Sequence, residues 1–197
     1  MLRPYTMGNP MSKFDPKIHH RRSIRLQGYD YSQAGAYFVT VVTYHRDCLF
    51  GEIKNGEPPK GGAVILNDLG KITDECWRAI PEHFPFVELG AHIIMPNHGH
   101  GIIVITDDGG RGAIYRAPTI EQFGKPTVGS LPTIIRTYKA AVTRIIGREH
   151  NATGIWQRNY HEHIIRNERE MDNIWRYIES NPAQWDDDDE NPFVKSK

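Results

Sequence analysis

The stretch "IIMPNHGHGIIVI" (residues 93–105) places His98 and His100 one residue apart, after a Pro96-Asn97 pair and between two apolar runs. Pro and Asn are turn formers, and the flanking runs are rich in β-branched residues. The segment therefore reads as a hairpin, with "VELGAHIIM" and "GHGIIVIT" as its two strands. Alternate residues of a strand share a face. His98, His100, Ile102 and Val104 thus project from one side, and Gly99, Gly101 and Ile103 from the other. Neutral imidazoles side by side on a rigid sheet form a two-point site for a divalent metal. The pattern alone decides little, because the chain carries a second such pair, His161 and His163.

Outward from the hairpin, "AYFVTVVTY" (36–44) has the Tyr, Val and Thr content of a central strand. "GEIKNGEPPKGG" is a turn cluster with room for a small hairpin. From Asn67, Leu69, Ile72, Cys76 and Ile80 recur at helical spacing up to Pro81. Residues 107–129 have the Gly and Pro content of an irregular connection. A helix follows, with Ser130 as its cap and Gly147 as its stop. "GIWQRNYHEHIIR" is extended. The last helix opens on Asn167 with Glu170 three residues on, carries Met171, Ile174, Trp175 and Ile178 as its apolar stripe, and stops at Pro182. This order predicts an α+β fold, an antiparallel sheet covered by helices on one face.

A chain of 197 residues accommodates one well-cored domain with appendages. Cys48 and Cys76 stand alone in no metal-like spacing and read as reduced core thiols. No apolar run approaches membrane-spanning length, and the N-terminus lacks a signal-peptide core. The expectation is a cytoplasmic protein with no membrane partner. Lys plus Arg equals Asp plus Glu, but the charge is unevenly spread. Residues 183–197 hold five acids and two lysines, leaving the remainder at net +3, and residues 1–28 carry six basic side chains against Asp15. A basic arm and an acidic tail on a near-neutral body fit a phosphate-bearing partner, and fit two solvated tails equally.

A metal held by two histidines needs further ligands. Tyr177 and Asn181 lie four residues apart and share one face of the last helix, beside its apolar stripe. With that stripe on the sheet, Asn181 offers a carbonyl oxygen to the metal and Tyr177 a hydroxyl nucleophile. A phenol is unreactive at its ordinary pKa near 10 and needs an electrophile polarised by the metal; a phosphodiester fits. Tyr160, in "NYHEH", is the rival nucleophile, without a helix to aim it. Trp156 and Trp175 read as core residues. Arg21, Arg22, Arg25, Arg136, Lys139, Arg144 and Arg158 are candidate phosphate contacts.

"MPNHGHGIIVI", followed by "IWQRNYHEHIIRNEREMDNIWRYIESNP" and preceded by "RRSIRLQGYDYSQAGAYFVTVVTYHRDCLFGEI", resembles the single-tyrosine HUH transposases, and more closely the REP-associated tyrosine transposases. The resemblance spans about residues 21–185. It implies a ferredoxin-like, RNA-recognition-like antiparallel sheet with helices packed on it, the HUH endonuclease fold. It divides the chain into a basic arm (1–27), the HUH domain (28–185, with 107–129 as a flexible connection) and an acidic tail (186–197). The implied activity is a metal-dependent single-stranded DNA endonuclease and strand transferase acting on hairpin DNA through a 5′-phosphotyrosine. His98, His100 and Asn181 match the family's ligands for Mg2+ or Mn2+, and Tyr177 matches its nucleophile. The implied partner is a DNA hairpin with a flanking single strand, bound by a monomer or a homodimer. One departure is Gly99, where the family usually has a bulky apolar residue; its missing side chain predicts looser histidine geometry. The alternative is a domesticated protein that holds structured nucleic acid on the same fold without cutting. A relaxase-type enzyme would place its tyrosine before the histidines, whereas Tyr177 follows them.

Overall fold

The computed structural model describes residue 26 and residues 29–54, 62–107 and 127–193. Arg21, Arg22, Arg25, the basic arm up to residue 25 and most of the 107–129 connection lie outside these.

The strands are β1 (Gly35–Val42), β2 (Gly51–Lys54), β3 (Ala63–Leu66), β4 (Val87–Ile94), β5 (His98–Ile105) and β6 (His161–Ile165). The helices are α1 (Asp68–Arg78), α2 (Ile80–His83), α3 (Leu131–His150) and α4 (Glu168–Ser180), and a 3-10 turn, Asn181–Asp187, follows α4. β4, β5, β1 and β6 form one antiparallel sheet in that order, with β1 central as its Val- and Tyr-rich sequence predicts. Taking β1-α1-β4-β5-α3-β6 as the frame, this is the ferredoxin-like arrangement. β2 and β3 pair separately as the small hairpin.

Period two gives the sheet two different faces. Tyr37, Val39 and Val41 of β1 and Ile103 and Ile105 of β5 point into the main core, where α1 contributes Trp77 and α3 contributes Ile134, Ile135, Tyr138, Val142 and Ile146. Phe38, Ile102 and Val104 point the other way, into a smaller cluster closed by Met171, Ile174 and Ile178 of α4. Helices therefore cover both faces, not one. The stripe of α4 requires an apolar partner but carries no information about which side of the sheet supplies it.

Helix ends follow local chemistry. Asn67 Oδ1 accepts from Gly70 N and caps α1, and Asn167 Oδ1 accepts from Glu170 N and caps α4. The Glu170 carboxylate accepts from Arg166 N and from His163, so the start of α4 is also tied to β6. α3 passes through Gly147 and stops at Asn151, which takes the left-handed conformation (φ 52°) that terminates helices. Ser130 sits at the N-cap position of α3, but its hydroxyl bonds Thr127 O instead of a helix N–H. Chain continuity past Pro81 is also longer than expected, since Pro81 occupies the first turn of α2, where a missing N–H costs nothing. Two expected core residues are exposed: Trp175, whose indole N–H donates to Glu179, and Cys48. Trp156 does pack on the main core, against Phe50 and Tyr138. Among the described residues no helix is long and apolar enough to cross a membrane.

Candidate metal and tyrosine site

The β4–β5 hairpin turns through Met95–Asn97, closed by Met95 N donating to His98 O. β5 then aims His98 and His100 at the α4 face. His100 lies opposite Thr40 in the β1–β5 register, and Thr40 Oγ1 and His100 Nδ1 are 2.8 Å apart. His98 Nδ1 is 2.8 Å from Asn97 Oδ1. Both rings are buried, His98 completely. Burial pushes the His98 imidazole down to about 4, with Asp188 opposing the shift, and holds His100 well below the ordinary histidine range. Both are therefore neutral at pH 7, the form that ligates metals.

The glycine between them does not loosen this arrangement. The space beside Gly99 is filled by Ile94, whose Cδ1 would stand 3.1 Å from an added Cβ. On the same face Gly101 is covered by the Trp77 ring, 2.2 Å from the position of a Cβ. The back of the histidine strand is thus packed by side chains from β4 and α1.

α4 brings Tyr177 to the site. Its hydroxyl is 3.2 Å from His100 Nε2, and its ring meets Phe38 edge-on. Ile178, the next residue, is buried in the small cluster and anchors this turn of the helix. One turn on, Asn181 is buried, and its Nδ2 donates to Asp188 Oδ2 at 2.9 Å. Tyr160, by contrast, belongs to the main core on the opposite face of the sheet. His161 lines the site cavity but is exposed, and His163 is paired with Glu170 at 2.6 Å; the second histidine pair is not brought together as a ligand set.

Asp188 is the residue sequence reasoning missed. Within a run of four aspartates it reads as solvated tail, yet it is 8% exposed and sits 3.8 Å from His98 Nε2. The chain folds back after α4, and Asp188, Asp189 and Glu190 reach the site end of the sheet. Arg46 donates to Asp189 O and pairs with Glu190, and Asn97 Nδ2 donates to Glu190 O. A run of acids is drawn inward only where partners exist, and here they come from chain positions far away.

The donor set fits a divalent cation. His98, His100 and Asp188 each offer one ligand atom, all within 4.8 Å of one another. Two buried polar atoms there, His98 Nε2 and Asn181 Oδ1, have no hydrogen-bond partner. Two imidazole nitrogens with a carboxylate or amide oxygen suit a divalent metal ion. The cavity beside them, about 340 Å³, is lined by Phe38, His100, Tyr177, Asp187, Asp188 and Glu190. Burial, reinforced by Asp188, Glu190 and Asp189, pushes the Tyr177 hydroxyl up to about 12. This surface disfavours both a phenolate and a phosphate unless a cation balances it.

The predicted phosphate contacts separate. Arg136, Arg144 and Arg158 are exposed. Lys139 is not free: its Nζ donates to the carbonyls of Gln157, Arg158 and Asn159, and burial lowers it to about 8.

No family model matches the chain. It is 42% identical over 182 residues to a Haemophilus influenzae protein described only as uncharacterized, covering 90% of this chain and 96% of that one. It is 26% identical over 155 residues to a second Haemophilus influenzae protein, described as a REP-associated tyrosine transposase, covering 79% of this chain and 74% of the relative. Its fold is similar to that of a REP-associated tyrosine transposase solved bound to a REP hairpin, with TM-score 0.50, 19% identity, and 83% of this chain and 72% of that one covered. Together with the histidine strand and the tyrosine helix that faces it, these likenesses make the chain similar in sequence to a REP-associated tyrosine transposase and similar in fold to a second one.

Proposed function

We propose that the protein is a metal-dependent single-stranded DNA endonuclease and strand transferase that acts on hairpin DNA through Tyr177. The observation that carries this reading is the meeting of Tyr177 with a buried, polar-atom-rich ligand set. A divalent ion, Mg2+ or Mn2+, would be held by His98, His100 and an oxygen of Asn181 or Asp188, and would supply Lewis-acid polarisation of a phosphodiester. Tyr177 then forms the Oη–P bond as the 3′ oxygen departs, leaving a 5′-phosphotyrosine and a free 3′-hydroxyl. The strand is rejoined when a 3′-hydroxyl attacks that phosphotyrosine in the reverse sense.

The chain's own groups set the order of events. Tyr177 shares His100 Nε2, one of the ligand nitrogens. If His100 ligates through Nε2, the Tyr177 hydroxyl has to move off that nitrogen first. Ile178 keeps the helix in place while the ring moves. The acidic lining from Asp187 to Glu190 repels phosphate wherever no cation balances it, so DNA cleavage should require metal loading first. Exposed Arg136 and Arg158, with Arg21, Arg22 and Arg25 of the arm, are proposed to hold the DNA backbone. DNA is the proposed partner, and the protein acts as a monomer or homodimer.

The double change His98→Ala with His100→Ala tests the reading. It should abolish metal-dependent cleavage of a labelled hairpin oligonucleotide while leaving hairpin binding largely intact, because phosphate contacts supply most of the affinity. Full cleavage by the double variant would refute the metal assignment. Binding without cleavage by the unmodified protein would instead favour a domesticated, non-cleaving nucleic-acid-binding protein.

A further inference from the structure

Asn97 is buried completely, and every polar atom of its side chain is engaged. Nδ2 donates to Arg46 O at 3.1 Å and to Glu190 O at 2.6 Å. Those two carbonyls can only accept, so the amide cannot be turned the other way without facing oxygen against oxygen. Oδ1 is thereby fixed toward His98 Nδ1, 2.8 Å away, and it too can only accept. The proton of His98 must therefore sit on Nδ1. Nε2 is left bare, and it is the ring nitrogen that points at Asp188 and has no hydrogen-bond partner.

The same amide holds the returning chain. Glu190 O accepts from Asn97, Glu190 N donates to Asp188 Oδ1 at 2.7 Å, and Asn181 Nδ2 donates to Asp188 Oδ2. On the other side, His45 and Arg46 both adopt left-handed backbone conformations (φ 57° and 61°), which cost non-glycine residues free energy. That conformation presents the Arg46 carbonyl to Asn97 and the guanidinium to Asp189 and Glu190. One side chain thus touches the histidine strand, the strained 45–46 turn and the acidic strap.

We propose that Asn97 is the positioning residue of the metal site: it selects the His98 tautomer whose Nε2 ligates, and it docks the 188–190 strap that carries Asp188. The inference rests on the metal reading above. Outer-shell partners of ligating histidines are worth about 10- to 100-fold in metal affinity, and Asn97 should fall in that range.

Two measurements test it. Long-range 1H–15N correlation spectra of the metal-free protein, labelled at histidine, should show His98 protonated at Nδ1 and bare at Nε2. Mn2+ titration followed by electron paramagnetic resonance should show affinity about 10- to 100-fold weaker in Asn97→Ala. In that variant His98 should also gain the Nε2–H tautomer. Arg46→Ala, which releases the strap from the guanidinium but leaves Asn97 in place, should keep the wild-type tautomer. A wild-type His98 carrying its proton on Nε2 would overturn the proposal, whatever the variants do. So would a folded Asn97→Ala protein with unchanged tautomer and Mn2+ affinity within about twofold of wild type. If Asn97→Ala does not fold, the wild-type spectrum and Arg46→Ala decide. Failure of the wild-type protein to bind Mn2+ would sink the metal reading itself, while the spectrum would still decide the role of Asn97.

Discussion

Gly99 and Gly101 flank His100, and alanine should have unequal consequences at the two positions. At Gly101 the new Cβ would lie 2.2 Å from Trp77 Cζ2, 2.8 Å from Cε2 and 2.9 Å from Cη2. Carbon atoms in contact prefer about 3.5–4.0 Å, so the ring or the strand must yield by more than 1 Å. Trp77 is 2% exposed and wedged against Tyr138 and His92, so it has no free direction. Overpacking of a tight core typically costs about 1–3 kcal/mol, and this rigid ring belongs at the upper end. Part of the relief would come from β5 moving toward α4, which displaces His100 relative to Tyr177. At Gly99 the nearest atom is the flexible tip of Ile94 at 3.1 Å, and a rotamer adjustment absorbs the methyl. Gly99→Ala should therefore change stability by less than about 1 kcal/mol and leave Mn2+ affinity intact. Gly101→Ala should lose about 3 kcal/mol in urea unfolding and bind Mn2+ more weakly. Equal costs at the two glycines, or a Gly101→Ala protein as stable as wild type, would refute the packing argument.

Three further outcomes follow from named contacts. His98 is held at about 4 and His100 also well down, against an unfolded value near 6.5. Their folded values are depressed, so the stabilisation is fully present above pH 6.5 and is lost as pH falls toward 4, by roughly 3 kcal/mol for His98. Urea midpoints measured across that window should fall more steeply for wild type than for His98→Gln, and parallel curves would contradict the assignment. Neutralising Arg136 and Arg158 should lower the salt dependence of hairpin binding by about one unit of slope per lost phosphate contact, whereas Lys139→Ala should destabilise the 157–159 segment and leave the slope unchanged. Asn167→Ala removes the cap of α4 and should cost about 1 kcal/mol in thermal or urea unfolding; no measurable loss would mean the cap bond is not formed in solution.

Much of the site is legible along the chain because its parts are local. Strand alternation alone puts His98 and His100 on one face, and a four-residue helical step puts Tyr177 and Asn181 together. Their meeting also follows from a short-range signal, the Met171, Ile174 and Ile178 stripe that must lie on the sheet. What escapes is non-local. Asp188 is recruited by His98 and Asn181, and its neighbours by Arg46, which precedes Asp189 by 143 positions; no periodicity in an aspartate run encodes that. Trp175 is on the stripe by spacing, yet at 44% exposure it lies at the edge, because the small cluster beneath α4 needs only three side chains. Gly99 reads as a defect when the strand is considered by itself. It becomes an ordinary packing position once Ile94 is seen to fill its space.

The central claim is that Tyr177 is the nucleophile, and a covalent adduct tests it most directly. Tyr177→Phe removes one hydroxyl from a residue that is 39% exposed and almost no packing volume, so the fold should persist. Unmodified protein incubated with Mn2+ and a labelled hairpin oligonucleotide from its own genomic neighbourhood should yield a protein–DNA adduct that survives boiling in detergent. The adduct should be absent from Tyr177→Phe and retained by Tyr160→Phe, whose hydroxyl lies on the other side of the sheet. An adduct that persists in Tyr177→Phe and disappears in Tyr160→Phe would contradict the account.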